Sequence, residues 1–151
     1  MKIWGILNKT CNCKERGSFE VKNIEITMAS RSKPVTFPYE VSICSDCNLP
    51  SFDQQTQEAL EKKAKQQFIE NHGLLSSGEI KGFRKRLKMT RDQFGEYLHV
   101  LPLSIYMWEK RGRIQNKSSD ELIRLKCNPT YLAEHEEEIN RIILRRNKRA
   151  V

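Results

Sequence analysis

A chain of 151 residues, 38% hydrophobic and 30% charged, fits one domain or two small ones, and no single core need cover it all. No apolar run approaches the roughly 20 residues of a membrane span, and the opening MKIWGILNKTC turns polar too soon for a signal peptide, so the expected location is the cytoplasm. The net charge of +8 is uneven: residues 1–77 carry ten Lys/Arg against nine Asp/Glu, residues 78–151 seventeen against ten. A near-neutral front and a strongly basic back predict a polyanion partner for the second half.

In chain order, Ile3-Trp4-Gly5-Ile6-Leu7 is a short apolar stretch leading to Cys11-Asn12-Cys13. Over residues 18–28, Phe19 and Val21, then Ile24, Ile26 and Met28, alternate as a strand with a break near Asn23. Arg31 to Lys33 is a polar turn closed by Pro34. Tyr39, Val41 and Ile43 alternate again into Cys44-Ser45-Asp46-Cys47, giving a hairpin with a thiol pair at its end. Residues 53–71 read as a helix capped by Asp53, with Ala59, Leu60, Ala64, Phe68 and Ile69 as its stripe and Asn71-His72-Gly73 as its stop. Leu74 to Gly78 reads as a linker.

The second half reads as five helices. Residues 79–88 place Ile80, Phe83 and Leu87 inward. Thr90 caps the next, with Phe94, Tyr97 and Leu98, and His99-Val100-Leu101 is the turn. The third runs from Pro102, tolerated in a first turn, to Lys110. Ser118 or Ser119 caps a fourth bearing Leu122, Ile123 and Leu125. Asn128-Pro129 opens the last, with Leu132, Ile139, Ile142 and Ile143 apolar, and the basic tail Arg145–Arg149 is expected to fray.

Cys11, Cys13, Cys44 and Cys47 are two tight thiol pairs, each able to grip a metal from a short turn. Four thiolates about 2.3 Å from one ion close the shell of a structural zinc site, and a small β unit has little else to hold it. In a cytosolic chain such pairs read as ligands before disulfides; the plain alternative is small buried residues or stray disulfides. Catalytic zinc needs an open position and a nearby base, and no histidine precedes His72. His72 and His99, in the helical half, are poor substitute ligands, and Cys127 reads as a small buried residue. No nucleophile sits beside a histidine base and no carboxylate pair forms a motif, so an enzyme is not expected. Glu136-Glu137-Glu138 reads as a solvated run.

In a helix-turn-helix one helix crosses the DNA backbone and the next enters the major groove. Here Leu87 to Gly95 reads as the start of that unit, with Gly95 allowing close helix approach. Lys81, Arg84, Lys85, Lys88, Arg91, Lys110, Arg111 and Arg113 are the candidate phosphate contacts. The candidate base-reading face of the third helix is Leu101, Leu103, Ser104, Tyr106 and Met107. None of these is Arg, Lys, Asn or Gln, the side chains that read guanine or adenine bidentately. Ser104 and Tyr106 offer hydroxyls, and Leu103 or Met107 could touch thymine methyls. Arg111, Arg113 or Gln115 could reach bases from beyond the helix; alternatively the face binds protein. Ile139, Ile142 and Ile143 exceed what the small unit needs for its own core, which predicts a homodimer.

Trp108-Glu109 resembles the Trp-Glu pair of phage-repressor-type domains, where the ring packs in the core. With Cys13 and Cys44 separated by thirty residues, a helix after Cys44-x-x-Cys47, and Asn128-Pro129-Thr130-Tyr131-Leu132 similar to the family's last helix, the chain resembles the MqsA family of antitoxins. That resemblance implies an α+β fold class. A zinc-ribbon β domain with its trailing helix would occupy 1–73, a linker 74–78, and an all-α five-helix phage-repressor-type (HTH/XRE) domain 79–151. It implies structural Zn2+ on the four cysteines, a ribonuclease toxin bound by the first domain, and a second domain that dimerises and represses its own operon at a palindromic operator. Cys11-x-Cys13 is tighter than the usual pair, and Leu103 and Met107 stand where the family has polar base readers. Two further readings remain: a mobile-element regulator of the same build with no toxin, and a zinc-ribbon adaptor whose basic helices bind protein or RNA.

Overall fold

The structure, a computed structural model, describes residues 2–4, 11, 13 and 18–145. The expectations for Gly5-Ile6-Leu7, Asn12 and residues 146–149 lie outside the described residues. The fold is α+β, and the chain divides into two compact units, Met1–His72 and Gly73–Val151.

In the first unit β1 (Lys2–Trp4), β2 (Phe19–Ser30) and β3 (Lys33–Cys44) form one sheet in the order β1-β2-β3. β1 runs parallel to β2, with Ile3 opposite Ile26; β2 and β3 are antiparallel from Ser30↔Lys33 to Phe19↔Cys44. Arg31 and Ser32 both take positive φ, 49° and 62°, the twist that two-residue hairpin loops favour. Pro34 and Pro38 are tolerated because β3 is an edge strand.

β2 is not broken at Asn23, which pairs with Glu40. What changes there is the face that carries apolar residues. Ile24 and Ile26 lie on the buried face with Val35, Phe37, Val41 and Ile43, whereas Phe19 and Val21 have the opposite parity and are exposed. α1 (Gln54–His72) packs on β2 and β3 through Leu60, Ala64 and Phe68. Asp53 accepts from the Thr56 N–H at 2.7 Å, capping the helix. Lys63 donates to the Pro38 carbonyl at 3.0 Å and covers the Phe37 and Tyr39 rings.

The second unit holds six helices among the described residues: α2 (Ser77–Arg86), α3 (Arg91–Leu98), α4 (Pro102–Lys110), α5 (Lys117–Lys126), α6 (Pro129–Glu134) and α7 (Glu136–Arg145). The expected linker 74–78 is part of this unit. Ser76 accepts from the Glu79 N–H while Glu79 reaches back to the Ser76 N–H, a reciprocal cap. Leu75 is buried, and its N–H donates to Asp120 at 2.6 Å. α5 is capped by Asn116, not by Ser118 or Ser119, and Leu125 is exposed. The expected single last helix is two, divided at His135.

The core joins Ile80, Met89, Phe94, Tyr97, Leu98, Ile105, Trp108 and Ile123. Ile139 and Ile142 are buried in that same core and Ile143 packs against it. Ile139 and Ile142 are thus used within their own unit, whereas Ile143 is half-buried and Leu144 is exposed. α3 and α4 meet closely at Gly95, where an added Cβ would lie 2.7 Å from the Val100 carbonyl oxygen and 3.2 Å from the Pro102 nitrogen. Alanine gains about 1 kcal/mol over glycine inside a helix, but here the contact is with backbone. Gly95→Ala is expected to destabilise the unit by about 1–3 kcal/mol in denaturant titration.

Candidate functional site

The thiol cluster is assembled by backbone. After Cys44 the chain turns, with Asn48 at φ 54° donating its N–H to the Cys44 carbonyl at 2.9 Å. It then doubles back so that Pro50 bridges Ile43. The Pro50 carbonyl accepts from the Cys11 N–H at 3.2 Å, which seats the first pair against the second. Ser45 is fixed to Ser18 through both its N–H and its hydroxyl, at 2.9 and 2.8 Å.

The sulfurs of Cys11, Cys13, Cys44 and Cys47 all lie within 4.8 Å of one another. Four ligands about 2.3 Å from a tetrahedral ion sit about 3.8 Å apart, so the four cysteines could bind a metal ion. Cys44 is buried, Cys11 and Cys47 are half-buried and Cys13 is exposed. The N–H groups of Cys47 and Asp46 point at the Cys44 sulfur and lower its pKa to about 7, burial acting against them. Hydrogen bonds to Cys47 and Cys11, with burial adding to them, push Cys13 up to about 12. The Cys13 N–H, 3.4 Å from the Cys11 sulfur, works to lower that thiol's pKa, but burial and the sulfurs of Cys47 and Cys44 leave it raised. The cluster thus favours the charged form at Cys44 and disfavours it at Cys11 and Cys13, and a bound cation would displace the remaining thiol protons. Burial pushes the remote Cys127 thiol up to about 11.

In the second unit α3 ends on His99, in the left-handed region at φ 56°, and α4 begins at Pro102 without a side-chain cap. α4 buries Ile105, Trp108 and Glu109. Glu109 has a fully buried side chain and receives Arg84 Nε at 2.6 Å, a second Arg84 nitrogen at 3.0 Å and Arg91 Nε at 3.0 Å. Burial works to raise the Glu109 pKa, but the two guanidiniums outweigh it and hold it below the ordinary range. Arg84, 12% exposed and also donating to the Met89 carbonyl, is an internal strut and not the phosphate contact expected of it. Arg91, 33% exposed, is shared: its guanidinium also lies 5.5 Å from the Tyr106 ring centroid, with that of Arg111 at 5.9 Å.

Of the remaining expected contacts, Lys81 is half-buried, whereas Lys85, Lys88, Lys110, Arg111 and Arg113 are exposed and form no ion pair among the described residues. Leu101 and Leu103 are 72% and 65% exposed; Ser104, Tyr106 and Met107 are half-buried. Gln115 is not available to bases: it is buried, donating to the Leu75 carbonyl and to Asp120 at 2.8 Å each. A shallow depression lined by Arg84, Thr90, Arg91, Asp92, Pro102, Leu103 and Tyr106 lies where α3 meets α4. The central role of Glu109 and the stacking of Tyr106 escape a sequence reading; the only cue is a lone acid and a lone tyrosine in a helix bounded by cations.

Among the described residues no helix is long and apolar enough to cross a membrane. No protein-family model matches the chain, and no curated protein matches it.

Proposed function

We propose that the protein is a sequence-specific DNA-binding transcriptional repressor with a structural zinc ion in its first unit. The observation that carries this reading is the α3–turn–α4 pair with its rim of cations. Lys110 ends α4, Arg111 and Arg113 follow it, and Lys88 precedes α3, all exposed, in the half of the chain that holds seventeen Lys/Arg against ten Asp/Glu. A helix of nine residues fits the major groove, with α3 across the backbone. Four sulfur donors favour zinc over harder ions, and a reducing cytoplasm keeps them free to bind it.

Gel shift against the protein's own upstream region, titrated with salt, tests the reading. Affinity falls steeply with salt, and Lys110→Ala lowers the slope of log K against log salt by about one. A flat salt response with tight binding to a protein instead favours the adaptor reading, to which the exposed Leu101 and Leu103 give some support.

The resemblance to MqsA-type antitoxins extends the proposal to a type II toxin–antitoxin operon, with a ribonuclease toxin held by the first unit. The identity of the adjacent gene separates this from a mobile-element regulator with no toxin. A palindromic operator calls for a homodimer; Ile139 and Ile142 are committed to the unit's own core.

A further inference from the structure

The exposed face of α4 lacks the side chains that normally read bases, yet it holds two solvent-exposed leucines. Leu103 is the second residue of α4 and Leu101 immediately precedes it, the end of a recognition helix that meets base edges. Both are more than 60% exposed, in contrast to the half-buried Met107. Of the polar alternatives, Glu109 and Gln115 are buried and Arg84 is bound to Glu109; Arg111 and Arg113 are exposed but lie beyond the C-terminal end of α4, at the opposite end of the helix from Leu103. Around the leucines the charge is complementary to phosphate. Arg91 and Arg111 both lie near the Tyr106 ring, one turn along α4 from Leu103, and Leu103 shares its adjoining depression with Arg84, Arg91 and Asp92; Lys110 is seven residues on from Leu103, on the same face of the helix.

We propose that Leu103, with Leu101 beside it, reads thymine C5-methyl groups in the major groove, while the exposed Lys110 and Arg111 at the other end of α4 meet the flanking phosphates. Thymine is the one base that offers an apolar group in that groove. An apolar reader between cations therefore selects thymine by contact, without a bidentate hydrogen bond. The inference rests on the DNA-binding reading and specifies what that site recognises.

The test uses the full-length zinc-loaded chain. Sites are selected from a random duplex library, and each thymine in the selected site is replaced in turn by uracil, which removes only the C5-methyl. Binding is expected to weaken about fourfold for each methyl that meets a leucine, and Leu103→Ala is expected to abolish the penalty at the thymine that meets Leu103 while still binding in a salt-dependent way. Leu103 is exposed, so the substitution leaves the core intact. Selected sites bound equally well with uracil would overturn the methyl readout and leave the repressor reading standing. A uracil penalty that persists in Leu103→Ala and in Leu101→Ala would overturn the assignment to these residues. No enrichment of any duplex would remove the DNA-binding reading itself, and this inference with it.

Discussion

Cys44→Ser is expected to abolish stoichiometric metal binding and unfold the first unit while the second stays folded. Cys44 is the fully buried thiol of the cluster and the one whose pKa the backbone N–H groups lower, so serine there removes the donor best prepared to bind a cation. The unit it holds has one helix on a sheet whose hairpin is two 12-residue strands, and among the described residues only Phe37 and Phe68 are aromatic in a core otherwise made mostly of aliphatic side chains. Structural zinc contributes on the order of 10–16 kcal/mol of apparent binding free energy in small finger peptides, more than the whole stability of a typical domain. Metal analysis together with amide hydrogen exchange reads the result. Protection across β2 and β3 collapses, and protection across α3, α4 and α5 is kept, because the second unit has its own core. A strong chelator on the unaltered protein is expected to produce the same pattern, which separates loss of metal from a packing defect at residue 44. Protected β2 and β3 amides after chelation would show that the thiols are not the staple of this unit.

The parts of the fold visible in the sequence are those fixed by local chemistry. Thr90 with Gln93 forms a reciprocal cap three residues apart, and Pro102 together with Gly112 at φ 62° brackets α4, so these limits can be read directly. The Ser76/Glu79 cap has the same spacing, but Ser76-Ser77-Gly78 also has the composition of a flexible joint, and composition obscures it. Elsewhere the deciding partner is far along the chain. The Arg84–Glu109 pair spans 25 residues and Leu75–Asp120 spans 45; no periodicity encodes either. The change of face in β2 at Asn23 looks like a break because apolar parity shifts there, although the backbone ladder continues. Ile139 and Ile142 of α7 look surplus only until one sees that α3 packs against α7. At the thiol cluster the meeting of the two pairs was legible from four thiols in two tight pairs, whereas the Cys11–Pro50 hydrogen bond that seats one against the other was not.

The second large effect is expected at Glu109. Glu109→Ala leaves Arg84, 12% exposed, without its carboxylate and Arg91 with only its ring contact. Removing one partner of a buried ion pair typically costs about 3–5 kcal/mol, because the remaining charge stays desolvated. For a unit of this size that lowers the melting temperature by more than about 10 °C. Arg84→Ala is expected to cost less, since Arg91 still neutralises the carboxylate. The pH dependence separates charge from packing. The Glu109 pKa is depressed in the folded state, so its contribution is present above the ordinary glutamate value of 4.5 and is lost as pH falls through the lower folded value. Asp120 has the same sign: burial works to raise its pKa, but Arg124, the Leu75 N–H and Gln115 hold it low. The unaltered protein therefore loses stability in acid through both groups, whereas Glu109→Gln loses it only through Asp120. The stability gap between the two proteins, measured by urea titration, should narrow steadily as pH falls below 4.5. A gap that stays constant from neutral pH into acid would mean that Glu109 acts by shape alone, and that its two arginines are not held by its charge.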